Sequence, residues 1–142
     1  MTKPAKRHLP ADCERQALEL LQADIDDESP ERLGAVVDDL LAAGALDAVL
    51  LPVIMKKGRP GMRLDVLLRH DDRERLAALV LRETTTLGVR VFSAHRYALA
   101  RRQEVVPAFD QPVRVKVALW DGKPLKAKPE ADDVRRVAAV AK

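Results

Sequence analysis

Ser29-Pro-Glu-Arg-Leu-Gly-Ala-Val-Val-Asp-Asp-Leu-Leu-Ala-Ala-Gly44 is the stretch on which the fold turns. Ser29 and Pro30 have the chemistry of a helix N-cap and of the first helical position. Leu33, Val36, Val37, Leu40 and Leu41 then recur at i, i+3, i+4, i+7 and i+8, which is one apolar stripe of an α-helix ending at Gly44. Before it, Leu18 to Ile25 partly alternates and reads as a strand, followed by the acidic turn Asp26-Asp27-Glu28. After it, the β-branched run Leu46–Ile54 reads as a buried strand, Met55–Gly61 as a loop and Arg63–Arg69 as the next strand. Asp71 or Asp72 can start a second helix with Leu76, Leu79 and Val80 on one stripe, and Val89 to about Leu99 reads as a fourth strand. The order β-α-β-β-α-β predicts an α+β, ferredoxin-like antiparallel sheet with two helices on one face. Val105–Phe109 and Val113–Leu119 predict an added C-terminal hairpin, Trp120-Asp-Gly-Lys123 a turn and Pro124–Pro129 a polar linker. Asp132 or Asp133 then opens a last helix with Val134, Val137, Ala138 and Ala141 on one side. Residues 1–15 read as a flexible basic tail and 16–142 as the folded domain.

The 142 residues suit one domain, and 47% hydrophobic with 33% charged residues excludes wholesale disorder. Aromatics are only 3%, so Leu, Val and Ala must fill the core. The single cysteine, Cys13, excludes an internal disulfide framework and any multi-cysteine zinc or iron–sulfur site. The longest apolar run, Ala48–Met55, is broken by Pro52 and is too short to span a bilayer. With no signal-peptide pattern either, the expected setting is soluble and cytoplasmic. Net charge is only +3, but it is segregated: Glu19–Asp47 carries nine acids and one base, Arg32. Met55–Arg69 reverses this, with Lys56, Lys57, Arg59, Arg63 and Arg69 against Asp65. Adjacent acidic and basic clusters are what a metal–polyphosphate site requires, and they are equally what a solvated surface tolerates.

Three stretches carry candidate chemistry. Met55-Lys-Lys-Gly-Arg-Pro-Gly61 combines glycines, which let backbone N–H groups approach an anion, with three bases that offset phosphate charge. It is not a Walker A loop, because no Ser or Thr follows the lysines, and a basic connector between strands has the same composition. Glu83-Thr-Thr-Thr-Leu-Gly-Val-Arg90 puts Glu83 on the apolar stripe and sets three hydroxyls beside Gly88. Those hydroxyls suit a ligand, or simply the last carbonyls of the helix. Asp24, Asp26, Asp27 and Glu28, with Glu31 one turn on, suit a hard divalent cation or the positive end of a helix dipole. His8, His70 and His95 show no ligand motif, and the scarcity of stacking aromatics counts against nucleic acid.

In order along the chain, these stretches resemble the C-terminal domain of the LarC family, which inserts nickel into the nickel-pincer nucleotide, the cofactor of lactate racemase. The match runs through Ile25-Asp-Asp with Pro30-Glu31, Gly44-Ala-Leu-Asp47, Met55–Gly61, Glu83–Arg90, Val113-Arg-Val-Lys116 and Lys128-Pro-Glu130, about Asp24 to Lys142. The resemblance implies a ferredoxin-like domain in a homo-oligomer, trimer or hexamer, that binds CTP with Mn2+ or Mg2+. It implies a lyase-type reaction in which nickel is the transferred metal and the pincer nucleotide precursor the substrate. It further implies that CTP hydrolysis to CMP accompanies bond formation to nickel, with carboxylates taking the proton lost from the pyridinium carbon. By motif, Met55, Lys56, Lys57, Gly58 and Arg59 would hold the triphosphate, with Thr84, Thr85, Thr86 and Arg90 nearby. Asp26, Asp27 and Glu31 would be the catalytic carboxylates, Asp26 and Asp27 also the metal ligands. The family's N-terminal domain would be a separate partner chain. A non-catalytic nucleotide sensor or oligomerisation module is the alternative, and a nucleic-acid-binding domain a weaker one.

Overall fold

The computed structural model describes residues 8–141. The order of elements is β1 (Glu14–Ile25), α1 (Pro30–Ala42), β2 (Asp47–Ile54), β3 (Pro60–Leu68), α2 (Arg73–Glu83), β4 (Arg90–Ala98), β5 (Arg101–Ala108), β6 (Gln111–Trp120), β7 (Lys123–Pro129) and α3 (Ala131–Val140). They form two compact units. Gln16–Arg96 makes one, and the described residues on either side of it make the other.

In the unit Gln16–Arg96 the strands lie in the order β2-β3-β1-β4, with β3 antiparallel to both β1 and β2. Period-two alternation decides its two faces. Leu21, Ala23 and Ile25 of β1, Ala48 of β2, and Leu64, Val66 and Leu68 of β3 share one face. Leu33, Val36 and Leu40 of α1 pack against it with Leu76 and Val80 of α2, in one continuous core. Each fully buried Leu contributes about 1.5–3 kcal/mol, so the stripe read from the sequence is also what fixes α1 in place. Ser29 caps α1 as expected, its hydroxyl accepting the Arg32 N–H at 3.2 Å. Gly44 ends the helix with φ +97°. Asp72 stands at the α2 N-cap position, but its carboxylate binds the Arg75 side chain at 2.6 Å instead of capping a backbone N–H.

In the other unit, β5-β6-β7 form a three-stranded antiparallel sheet. Here the expected hairpin and linker need correction. Pro124–Pro129 is not a linker but most of β7, paired with β6 between Trp120↔Lys123 and Val115↔Pro129. Every residue of β7 is exposed, so no burial pattern betrays it in the sequence, and its prolines are tolerated because it lies at a sheet edge. β5 also starts earlier than expected, at Arg101, and β1 begins at Glu14 instead of Leu18. Of the segment read as a tail, residues 1–7 lie outside the described residues. Pro10 is fully buried, and the Ala11 N–H and Asp12 carboxylate bond to the Asp121–Gly122 turn. Val137 of α3 packs toward Val113 and Val117 of β6, while Asp133, only 3% exposed, accepts the Arg114 backbone N–H and two guanidinium N–H groups at 2.8–3.0 Å.

Candidate functional site

Residues 55–59 join β2 to β3. The Met55 N–H donates to the Arg59 carbonyl at 2.7 Å and the Gly58 N–H to the Met55 carbonyl at 3.2 Å, which closes the loop on itself. Lys57 (φ +61°) and Gly58 (φ +71°) are both left-handed, a conformation that costs a non-glycine residue roughly 1–2 kcal/mol. The loop opens onto a cavity of about 390 Å3 lined by Asp24, Asp26, Val53, Ile54, Met55, Lys56, Lys57, Arg59 and Arg63. A second recess of about 430 Å3 shares Asp26, Val53 and Ile54 and adds Ile25, Glu28, Pro52 and Met62, so apart from its two carboxylates its wall is largely apolar. Gly61 is needed at this corner: a Cβ there would lie 2.6 Å from Met55 Sδ and 2.8 Å from the Ile25 carbonyl oxygen.

The electrostatics of the cavity are set by opposed charges at the ends of β1 and β3. Asp24 accepts from Arg63 at 2.6 and 3.1 Å and from Arg90 at 2.7 Å. Those guanidiniums hold its carboxyl well below the usual range, at about 2, Arg63 having the larger effect and partial burial opposing both. Asp26 has a single long contact to Arg59, 3.4 Å. Among the described residues no carboxylate pairs with Lys56 or Lys57, so the loop presents two uncompensated ammonium groups.

The structure brings most of the sequence candidates to one end of the unit. Asp26, Met55, Lys56, Lys57 and Arg59 line the cavity together. Asp27, Thr85 and Arg90 are not part of that lining: the Thr85 hydroxyl donates to Asp27, next to Asp26 in the chain, and Arg90 bonds to Asp24. Two hydroxyls are committed elsewhere: Thr84 donates to the Val80 carbonyl at 2.8 Å and Thr86 to the Gly88 carbonyl at 3.0 Å. They finish α2 and the turn after it. Glu83, expected as an unpartnered carboxylate on the stripe, is half-exposed and pairs with Arg82 at 3.3 Å. Glu31 is exposed on the first turn of α1 and does not line the cavity. The sequence reading counted Arg63 only as one base of the cluster and gave Gln22 no role. With Asp24 and Asp65 they occupy the face of β1 and β3 turned away from the core, in register as Asp24↔Arg63 and Gln22↔Asp65. Their alternation with Ala23, Leu64 and Val66 was visible, but not which strand faces which.

No group of three or more metal-ligating side chains exists among the described residues. Asp26 and Asp27 alone therefore fit a cation only of the kind that takes one or two carboxylates and completes its shell with phosphate oxygens and water, as Mg2+ does. Such an ion would arrive with a polyphosphate, and it would compete with Arg59 for Asp26 and with Thr85 for Asp27.

The sequence pattern of the nickel insertion protein family matches residues 6–142. A relative from Geobacter metallireducens is 47% identical over 120 residues, which are 84% of this chain and 31% of that protein. The pyridinium-3,5-bisthiocarboxylic acid mononucleotide nickel insertion protein of Staphylococcus epidermidis is 35% identical over 129 residues, 91% of this chain and 33% of its own length. The chain thus spans about a third of the curated relatives it matches. Among solved structures, the apo form of LarC2, the C-terminal domain of a cyclometallase involved in synthesis of the NPN cofactor of lactate racemase, superposes with a TM-score of 0.84 at 37% identity. That match covers 90% of this chain and 88% of that one. The chain belongs to the nickel insertion protein family and corresponds to its LarC C-terminal domain.

Proposed function

We propose that this domain binds CTP with a divalent cation, Mn2+ or Mg2+, and acts in inserting nickel into a pyridinium bisthiocarboxylic acid mononucleotide. The observation that carries the reading is the cavity behind the 55–59 loop, where unpaired Lys56 and Lys57 stand with Arg59 beside a largely apolar recess. Ammonium and guanidinium groups suit phosphate oxygens, the left-handed turn at Lys57–Gly58 exposes the loop, and the apolar wall suits a flat ring. Thr85 would bear on the site through Asp27 and Arg90 through Asp24, while Thr84 and Thr86 would act only by holding the turn that carries Thr85. Asp26 and Asp27 are the candidates to complete the shell of a phosphate-bound cation. With Glu31 they are also the candidate acceptors for the proton released when nickel bonds to carbon.

We propose a ferredoxin-like split βαβ topology for the Gln16–Arg96 unit, a reading that the strand order β2-β3-β1-β4 supports. The relatives' greater length supports a companion N-terminal domain in the working protein, and the domain's own assembly would be a trimer or hexamer in the cytoplasm.

Thermal shift measures the reading. CTP with Mn2+ should raise the Tm well above ATP with Mn2+ or the metal alone. Lys57→Ala should weaken CTP at least about tenfold, the loss expected of one charge-assisted contact. A Lys57→Ala protein with wild-type CTP affinity would remove the reading. CMP formed during nickel transfer, with the N-terminal domain supplied, assigns an enzyme; CTP binding without CMP assigns the non-catalytic module. Salt-sensitive oligonucleotide binding without CTP binding would assign the nucleic-acid alternative.

A further inference from the structure

The cavity lining carries four cationic side chains, Lys56, Lys57, Arg59 and Arg63, and two carboxylates, Asp24 and Asp26, a formal balance of +2. The two carboxylates are held very differently. Asp26 meets Arg59 through one contact of 3.4 Å, long enough for a phosphate oxygen to replace. Asp24 has both oxygens filled, by Arg63 Nε at 2.6 Å, Arg63 Nη2 at 3.1 Å and Arg90 Nη2 at 2.7 Å, and its side chain is only 19% exposed. A further polar layer braces this cluster. The Gln22 side-chain Oε1 accepts from Arg90 Nη2 at 3.0 Å, and its Nε2 donates to Asp65 at 2.9 Å. Two guanidiniums that could chelate a phosphate bidentately are thereby occupied by a carboxylate belonging to the chain itself.

We infer that Asp24 is the internal counter-anion of the site. It occupies Arg63 and Arg90, confines incoming phosphate to Lys56, Lys57 and Arg59, and so limits the affinity for highly charged polyphosphate. The inference rests on the polyphosphate reading of the cavity. Asp24 would be a specificity-determining residue, touching the arginines and not the reacting atoms. Removing its charge takes the lining from +2 to +3 and frees Arg63, which lines the cavity, and Arg90, which borders Asp24, to meet an incoming anion.

Calorimetric titration of the whole chain with inorganic tripolyphosphate, and separately with CTP plus Mn2+, tests it on wild type, Asp24→Asn and the double variant Asp24→Asn/Arg90→Gln. Asp24→Asn should bind tripolyphosphate at least about tenfold more tightly at low salt, with a steeper loss of affinity as salt rises. Adding Arg90→Gln should remove most of that gain. A change below twofold, or a gain that survives Arg90→Gln, overturns the inference. If wild type binds CTP but Asp24→Asn shows no gain, Asp24 is not a counter-anion and the nucleotide reading stands. If wild type binds no CTP while Asp24→Asn gains tripolyphosphate, the nucleotide reading falls and the role of Asp24 stands. Asp24→Ser is the second variant should Asp24→Asn fail to fold, and failure of both to fold makes Asp24 a folding residue and overturns the inference.

Discussion

Gly61 joins sequence to site most directly. It pairs with Val53 across β2 and β3, and a Cβ there would press on Met55 Sδ at 2.6 Å and on the Ile25 carbonyl at 2.8 Å. The Met55 side chain can move, but the β1 backbone at Ile25 cannot do so without disturbing the core residue it carries. Gly61→Ala should therefore destabilise the chain by about 1–3 kcal/mol, the usual cost of overpacking, read as a lower urea midpoint. Binding at the cavity should suffer as well, because the displaced atoms belong to its two walls. Lys57 is the converse case, a left-handed residue with no steric excuse for being other than glycine, asparagine or aspartate. Its backbone strain is consistent with a charge that has to stand at that point of the loop.

Among the elements, α1 and α3 are both legible from an apolar stripe, yet they dock by different means. α1 buries Leu33, Val36 and Leu40. α3 buries Val137 and, unexpectedly, Asp133, an acid the sequence reading placed only at the helix start. Its carboxylate accepts the Arg114 backbone N–H and guanidinium and lies 3.2 Å from Arg136, contacts that lower its pKa, the Arg114 side chain most of all. Asp133→Ala removes the acceptor and leaves the Arg114 N–H without its partner. Amide exchange across Val134–Val140 should accelerate by roughly an order of magnitude or more, with the Leu21–Ile25 amides unchanged. Equal acceleration at both places would make Asp133 a global instead of a local support. β7 shows the opposite limit of legibility. Lys123–Pro129 has neither stripe nor alternate burial, and it is a strand only because the edge of β6 offers unpaired N–H and C=O groups.

For the whole molecule, the two units share one acid sensitivity from separate clusters. Asp24, held down to about 2 chiefly by Arg63, lies in Gln16–Arg96, and Asp133, also lowered, lies in the other unit. A carboxyl whose folded pKa is depressed stabilises the fold fully above its unfolded value near about 4 and ceases to do so as pH falls through the folded pKa. The contribution of these two carboxyls to the unfolding free energy should therefore be constant from about pH 5 upward and decline below about pH 4. Asp24→Asn and Asp133→Asn should each flatten part of that decline, as urea midpoints across the range would reveal; unchanged slopes in both would contradict the assignment. The sequence by itself determined both main helices, the strands of the first unit, the basic loop and the family, because stripes, caps and contiguous motifs are local and survive in one dimension. Only the tertiary structure decided that Asp24 sits between Arg63 and Arg90, that Thr85 meets Asp27 while Thr84 and Thr86 serve the backbone, and that Pro124–Pro129 is a strand. Each of these depends on which edges and faces meet across tens of residues. That is settled by burying one shared core, and no local pattern encodes it.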